Sequence, residues 1–128
     1  IGEVLFAHYI ESGVARKPAT VGTVLNKVHR SVVFGHNHGF GYDQRPVLGR
    51  RPLSALCAGS FKPPHRTGDH EWSGLTLLTD VRDGGYNIQQ LPYDHVLETY
   101  GEGDYAQELR AARAAAARDR QAANLAFT

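Results

Sequence analysis

Several features that often direct a chain to a cellular location are scarce in this sequence. It has a single cysteine and no methionine among 128 residues, and no apolar run approaches the roughly 18 residues of a membrane-spanning helix. A lone cysteine excludes an internal disulfide and is typical of a reducing compartment. Because no charged-then-apolar leader is present either, we expect a cytoplasmic protein without membrane partners.

The chain also lacks a strong charge imbalance. Its 14 basic and 13 acidic residues give a formal net charge of +1, which provides no electrostatic reason to expect nucleic acid or a membrane surface as partner. Hydrophobic residues make up 41% of the sequence, which is typical of a globular domain and excludes extensive disorder.

The beginning of the chain resembles the interior of a domain. Residues 1–8 have the composition of a core strand, yet no residue precedes them to cover that strand. Together with the missing methionine, this leads us to expect a portion of a longer polypeptide.

The first third of the sequence predicts a strand, a helix and a second strand. Val4–His8 is a short apolar run, and apolar residues recur with helical spacing between Ala19 and Arg30, where Thr20 can cap the helix. Ser31–Gly35 is a second apolar run that ends at a glycine. Such a βαβ unit places two parallel strands side by side, so the fold class is α/β.

The middle of the chain alternates between predicted loops and strands. Gly39–Pro52 is rich in Gly, Pro and Arg and is predicted to be an irregular loop, whereas Leu53–Phe61 is predicted to be a buried strand. Lys62–Glu71 contains prolines and alternating charges, which indicates an exposed loop.

The last part of the sequence predicts a hairpin and a long helix. Trp72–Val81 and Tyr86–Leu91 are β-rich runs around a Gly-Gly turn, which is a strong hairpin signal. From Asp104 to about Asn124 the alanine-rich sequence predicts a helix with a thin apolar stripe. This helix either packs on the sheet or meets another chain.

Three histidines follow the two parallel strands of the βαβ unit. His8 ends the first strand, and His36 and His38 come directly after the second. Because the carboxyl ends of neighbouring parallel strands meet at one sheet edge, these imidazoles are candidate metal ligands. The alternative remains that each is a structural histidine.

Carboxylates, which two-metal hydrolytic sites commonly need, are missing near these strand ends in the sequence. Asp43 is the nearest acidic residue, in the predicted loop. Glu71 with His65 and His70 forms a second possible metal set, but its proline-rich setting favours an exposed loop.

The strand followed by Gly35–His38, with an earlier strand ending at His8, resembles the last two metal motifs of the calcineurin-like metallophosphoesterases. Ala58–Ser60 and Trp72–Gly74 are similar to the carboxyl-terminal part of phage and bacterial members. The resemblance covers residues 3–95. It implies that residues 1–100 are the carboxyl-terminal portion of a phosphoesterase domain, a β-sandwich flanked by helices, followed by a helical segment at 101–128.

The resemblance also implies a site and an activity. His8 and His36 would ligate one divalent metal ion and His38 a second, the ions being Mn, Fe, Zn or Ni. The family's other three metal motifs are not in this sequence, so they would lie in a missing amino-terminal half, and no catalytic residue is expected in this portion. Asn37 is expected to bind substrate, as is Arg45 unless it is merely a solvated loop charge.

The implied reaction is hydrolysis of a phosphomonoester or phosphodiester by a metal-activated water. The substrate would be a nucleotide, a nucleic acid or a phosphoprotein, and the chain alone is expected to be inactive. The alternative is a non-catalytic structural or interaction module whose carboxyl-terminal helix docks on a partner or forms an oligomer.

Overall fold

The computed structural model of this chain describes residues 2–11 and 19–126, which form an α/β arrangement of two sheets and three α-helices. The chain divides into two units, Ile1–Tyr93 and Asp94–Thr128. In chain order the elements are β1 (Leu5–Ala7), α1 (Val21–Val28), β2 (Val32–Phe34), β3 (Phe40–Arg45), β4 (Leu53–Ala58), a 3-10 turn (Pro64–Arg66), β5 (Gly74–Arg82), β6 (Gly85–Pro92), α2 (Tyr93–Tyr100) and α3 (Asp104–Ala126).

The first unit contains a four-stranded sheet in the order β1-β2-β4-β3. Strands β1 and β2 are parallel, with Leu5 opposite Val32 and Ala7 opposite Phe34. Strand β2 is also parallel to β4, with Phe34 opposite Cys57. The predicted βαβ unit is therefore confirmed, and both of its strands end at the same sheet edge.

Helix α1 begins where the sequence predicted a cap. The Thr20 side chain accepts a hydrogen bond from the backbone N–H of Thr23, which satisfies one of the free donors of the first turn. The helix ends at His29, whose φ of 53° is left-handed. Its buried residues, Val24 and Leu25, lie in the same cluster as residues of β2 and β4.

Strand β4 is buried on both faces of the sheet. Leu53, Ala55 and Cys57 pack in the cluster with α1, whereas Leu56 packs in a second cluster that includes Tyr86 of the hairpin. Because side chains alternate between faces along a strand, a strand covered on both sides is largely apolar. This explains the composition of β4, in which Ser54 is the one polar residue and is itself buried.

Strands β5 and β6 form the predicted antiparallel hairpin, from Gly74 opposite Pro92 to Arg82 opposite Gly85. The turn residues Asp83 and Gly84 have φ values of 51° and 69°. Positive φ at both central positions is the condition for a type I′ turn, whose twist matches that of the flanking strands.

The prediction of an irregular loop at Gly39–Pro52 is wrong for its first half. Phe40–Arg45 forms β3, which pairs antiparallel with β4 along its full length. The alternation of Phe40 and Tyr42 with small or polar residues fits an edge strand with one apolar face, but the flanking Gly, Pro and Arg obscured it.

The second unit is helical. Helix α3 confirms the predicted alanine-rich helix and begins at Asp104 as expected, whereas α2 was not predicted. Within this unit the Arg113 guanidinium pairs with the Glu98 carboxylate, and Arg110 donates to the backbone carbonyl oxygens of Glu98 and Gly101 at the end of α2. None of the helices in the described ranges is long and apolar enough to cross a membrane.

Tyr86 joins the hairpin to the four-stranded sheet. Its side chain is buried, and its single O–H group is shared between the backbone carbonyl oxygens of Val32 in β2, at 2.9 Å, and Ser54 in β4, at 3.2 Å. Burial raises the pKa of this phenol well above its ordinary value. The hydroxyl therefore stays protonated and remains a donor across the usual pH range.

Replacing Tyr86 by Phe should lower the free energy of unfolding by about 1–2 kcal/mol, because two buried carbonyl oxygens lose a donor. Urea denaturation followed by the fluorescence of Trp72, the single tryptophan, measures the loss in the first unit. The control is Tyr100→Phe, since Tyr100 is 72% exposed. Equal midpoints for the two variants would contradict the assigned role of the Tyr86 hydroxyl.

Candidate metal centre

His8 and His36 lie together at the carboxyl ends of β1 and β2. The backbone N–H of Gly35 donates to the His8 carbonyl oxygen at 3.2 Å, so the pairing of the two strands continues to the histidines. His8 Nε2 and His36 Nδ1 are 3.3 Å apart, and the two rings are nearly perpendicular. The prediction that these residues leave the same sheet edge is confirmed.

The separation of these two nitrogens fits a shared metal ion. Two imidazole nitrogens each about 2.1 Å from one ion are separated by about 3.0 Å at an octahedral angle and about 3.4 Å at a tetrahedral angle. The observed 3.3 Å lies within that interval. A hydrogen bond between the rings also accounts for the distance when one of the two nitrogens carries a proton.

The backbone at His36 has an unusual conformation. Its φ is 67°, in the left-handed region that non-glycine residues seldom occupy but that histidine enters more often than most. The backbone N–H of Asn37 donates to the carbonyl oxygen of Gly35 at 2.8 Å and closes this tight turn. Strained backbone of this kind is concentrated at functional sites.

His38 has different partners from the other two histidines. Its Nδ1 lies 2.7 Å from Glu71 Oε1 and 3.1 Å from Lys62 Nζ. Lys62 also pairs with the other oxygen, Oε2, of the same carboxylate. Three residues separated along the sequence therefore form one polar cluster beside the strand ends, which we call the His38 cluster (His38, Lys62 and Glu71).

The Glu71 carboxylate is held from several sides. The backbone N–H of Gly68 donates to Oε2 at 2.9 Å, and Lys62 and His38 supply further hydrogen bonds. These donors, with the Gly68 N–H as the largest cause, lower the pKa of Glu71 to about 2. The carboxylate is therefore ionised at neutral pH and acts only as an acceptor.

An open depression of about 520 Å³ connects the histidines. It is lined by His8, Gly35, His36, His38, Gly59 and Ser60. The three predicted ligands thus face one shared space, which is large enough for a phosphate group and bound ions.

The three histidines at the strand ends fall into two groups. Within residues 2–11 and 19–126, no group of three or more His, Cys, Asp or Glu side chains is placed to hold one ion. His8 and His36 form a two-nitrogen pair, and His38 lies apart from it.

Asn37 and Arg45, the residues expected to bind substrate, both use their side chains in hydrogen bonds within the fold. Asn37 lies in the turn between the histidines, but its side-chain amide donates to the Ala19 carbonyl oxygen at 3.3 Å and is used within the fold. Arg45 is opposite Leu53, at the other end of the sheet from the histidines, and hydrogen-bonds to Asn26. Asp43 is on β3, where its carboxylate accepts from the backbone N–H of Gln44.

The expectation that no carboxylate lies near the strand ends is wrong, because Glu71 contacts His38. The sequence predicts an exposed loop at Glu71 and gives no signal that Lys62 belongs to a site. No local sequence signal connects them with His38, which is 33 residues from Glu71. Cys57 packs in the core, and His29 is exposed.

Comparisons with protein-family models, with curated proteins and with solved structures found no match to this chain.

The loop that carries Glu71 is held by hydrogen bonding and ring packing against the segment that follows His38. The backbone N–H of Trp72 donates to the His38 carbonyl oxygen at 2.9 Å, and the Trp72 ring contacts the ring of Phe40. On the other side, the Trp72 ring covers Gly59, which has a φ of 77°. A Cβ atom at Gly59 would lie 2.6 Å from the Trp72 ring. Trp72 therefore fixes the distance between the two segments.

Replacing Gly59 by Ala should displace Trp72 and shift its fluorescence. The left-handed backbone costs Ala about 1–2 kcal/mol, and the collision with the indole adds about 1–3 kcal/mol. The measurements are urea denaturation and the emission maximum of Trp72, which should move to longer wavelength as the ring becomes exposed.

Gly49→Ala is the matched control for this substitution, because Gly49 has a φ of 74° and a Cβ atom added there would have nothing within 4 Å. This variant should show only the backbone cost and leave the emission unchanged. Equal destabilisation by the two substitutions would show that the Trp72 contact does not hold the loop.

Proposed function

We propose that this chain supplies three histidine ligands to a two-metal centre that hydrolyses phosphoester bonds, as in the calcineurin-like metallophosphoesterases that it resembles. His8 and His36 bind one divalent ion and His38 binds the other. The remaining ligands, including the carboxylates, come from residues outside this sequence. The ions are Mn, Fe, Zn or Ni, which imidazole and carboxylate ligands accept according to supply.

The observation that carries this proposal is the 3.3 Å approach of His8 Nε2 and His36 Nδ1. These residues are 28 positions apart in sequence, and they meet because their strands are parallel neighbours. A left-handed backbone at His36 keeps its ring at that position. A purely structural pair of histidines would not require a strained turn or an open depression beside it.

The arrangement of the sheets supports the same proposal. The helix packs on one face of the four-stranded sheet and the hairpin on the other, so layers flank the strands whose ends carry the histidines. A β-sandwich of the phosphoesterase type needs a second sheet of this kind over the first. Open α/β sheets bind ligands at the carboxyl ends of their strands.

The residues of this chain have separate tasks in the proposed reaction. Divalent ions at the site supply charge neutralisation and activation of water for in-line attack on phosphorus. The imidazoles of His8, His36 and His38 hold those ions at fixed positions, and the depression between them admits the phosphoester. Because hydrogen bonds from Gly68, Lys62 and His38 lower the pKa of Glu71 to about 2, its carboxylate is a weak base and does not act as a general base in this proposal.

Zinc should perturb His8 and His36 together in the metal-free chain. We expect the ring resonances of both residues to shift in parallel during a Zn²⁺ titration followed by NMR. Replacing His36 by Ala should weaken binding at this pair about tenfold or more, because one imidazole alone is a weak ligand set. His29→Ala is the control, since His29 is exposed at the end of α1. Independent responses of His8 and His36 would contradict a shared ion and favour the non-catalytic alternative.

The 128-residue chain alone should hydrolyse bis-p-nitrophenyl phosphate with added Mn²⁺ at no more than the background rate, because the sequence lacks the family's motifs that would supply the carboxylate ligands. Release of p-nitrophenol measures this directly. Rapid turnover that is lost in the His36→Ala variant would show that the described residues suffice for activity and that the proposed division of the cage is wrong.

The origin of the missing ligands can be examined separately. If the coding region ahead of Ile1 encodes the family's Asp-any-His and Gly-Asp-any-any-Asp motifs, the longer protein should turn over the same substrate. A longer protein without these motifs would remove the support for phosphoester hydrolysis.

A further inference from the structure

Two charged groups of the His38 cluster require opposite hydrogen-bonding roles of one nitrogen atom, His38 Nδ1. Glu71 Oε1 is 2.7 Å from His38 Nδ1 and is only an acceptor, whereas Lys62 Nζ is 3.1 Å from the same atom and is only a donor. In a neutral imidazole, this nitrogen either donates or accepts a hydrogen bond, so it satisfies only one of the two groups at a time. If Nδ1 carries the proton it donates to Glu71, and if Nδ1 carries the lone pair it accepts from Lys62.

The contacts of the two charged groups favour the first arrangement. The distance to Glu71 is the shorter one, and Lys62 has an alternative acceptor because its ammonium group pairs with Glu71 Oε2. The carboxylate is in turn held by the backbone N–H of Gly68. Glu71 therefore stays beside His38, and the proton belongs on Nδ1.

The position of Glu71 is set by backbone as well as by side chains. The backbone N–H of Trp72 donates to the His38 carbonyl oxygen, and that of Glu71 donates to the Gly68 carbonyl oxygen at 3.0 Å. A Cβ at Gly39 would come within 3.1 Å of the His70 carbonyl oxygen, so the two segments approach closely. This close packing holds the carboxylate in place against the ring.

We infer that Glu71 is a positioning residue that places the His38 proton on Nδ1 and so leaves the Nε2 lone pair free to bind a metal ion in the depression. The nature of that ligand rests on the proposed function, whereas the position of the proton does not. Within the described part of the chain, His38 Nε2 has no hydrogen-bond partner. Carboxylates that orient the imidazole ligands of metals act in this way.

The position of the proton can be read without any metal. Long-range ¹H–¹⁵N correlation spectra of the metal-free chain at about pH 8, above the ordinary pKa of imidazole, distinguish the two tautomers. We expect the proton of His38 on Nδ1. A His38 ring protonated on Nε2, with Nδ1 accepting from Lys62, overturns the inference.

Glu71→Gln is the most informative variant, because the Gln side chain has the same shape as the Glu side chain. The two donors at Oε2, from Lys62 and Gly68, attract the amide oxygen of Gln and turn its NH₂ group towards His38 Nδ1. The His38 tautomer should therefore reverse, with the proton on Nε2. A variant that keeps the proton on Nδ1 shows that Glu71 does not determine the tautomer.

Two further variants separate this effect from a change in folding or charge. Asp69→Asn removes one negative charge from the same loop at an exposed position and should leave the His38 tautomer unchanged. Lys62→Met removes the competing donor and should also leave the proton on Nδ1. Reversal of the tautomer in either variant overturns the inference.

A Zn²⁺ titration of the same samples tests the ligand. In the unsubstituted chain the His38 Nε2 resonance should shift on addition of Zn²⁺, and Glu71→Gln should weaken this response about tenfold. If the tautomer behaves as expected but Zn²⁺ perturbs none of the three histidines, Glu71 positions His38 and the two-metal proposal fails. If Zn²⁺ binds equally well to both proteins at His38, the positioning role is overturned and the two-metal proposal remains.

Discussion

The burial of β4 on both faces is the constraint on which the rest of the first unit depends. Leu53, Ala55 and Cys57 pack with α1, while Leu56 packs with the hairpin. A shift of one residue in its pairing would exchange these two sets of side chains, so the register is strongly determined. Because β2 pairs directly with β4 and β1 with β2, the same register places the ends of β1 and β2 side by side.

The sheet determines the position of the turn that carries His36 and His38, but contacts outside the sheet make this turn rigid. The backbone closes tightly after Gly35, and the loop carrying Glu71 and Trp72 binds the turn from the far side. The candidate centre is thus held by two independent supports. A site that must keep ligands at fixed separations benefits from this arrangement, since small displacements of metal ligands reduce affinity.

The proposed phosphoesterase function connects these features through chemistry. In this proposal, the two imidazoles at 3.3 Å, the His38 imidazole beside the Glu71 carboxylate and the open depression would form part of a cage for divalent ions. Among the described residues, no group of three or more His, Cys, Asp or Glu side chains is placed to hold one ion, so the proposal requires further ligands. Arg45 lies at the opposite end of the sheet and takes no part in this proposal, and Asn37 contributes chiefly by holding the turn.

The sequence by itself determined the features that depend on local pattern. These were the βαβ unit with its Thr20 cap, the buried β4, the hairpin with its glycine turn and the helix from Asp104, because apolar spacing and turn residues specify them locally. It also placed His8 beside His36, since parallel neighbouring strands end together. Only the tertiary structure decided that Phe40–Arg45 is a strand and that Glu71 and Lys62 meet His38. The contacts of Glu71 and Lys62 with His38 join segments that are distant in sequence, and no short-range pattern encodes such a juxtaposition.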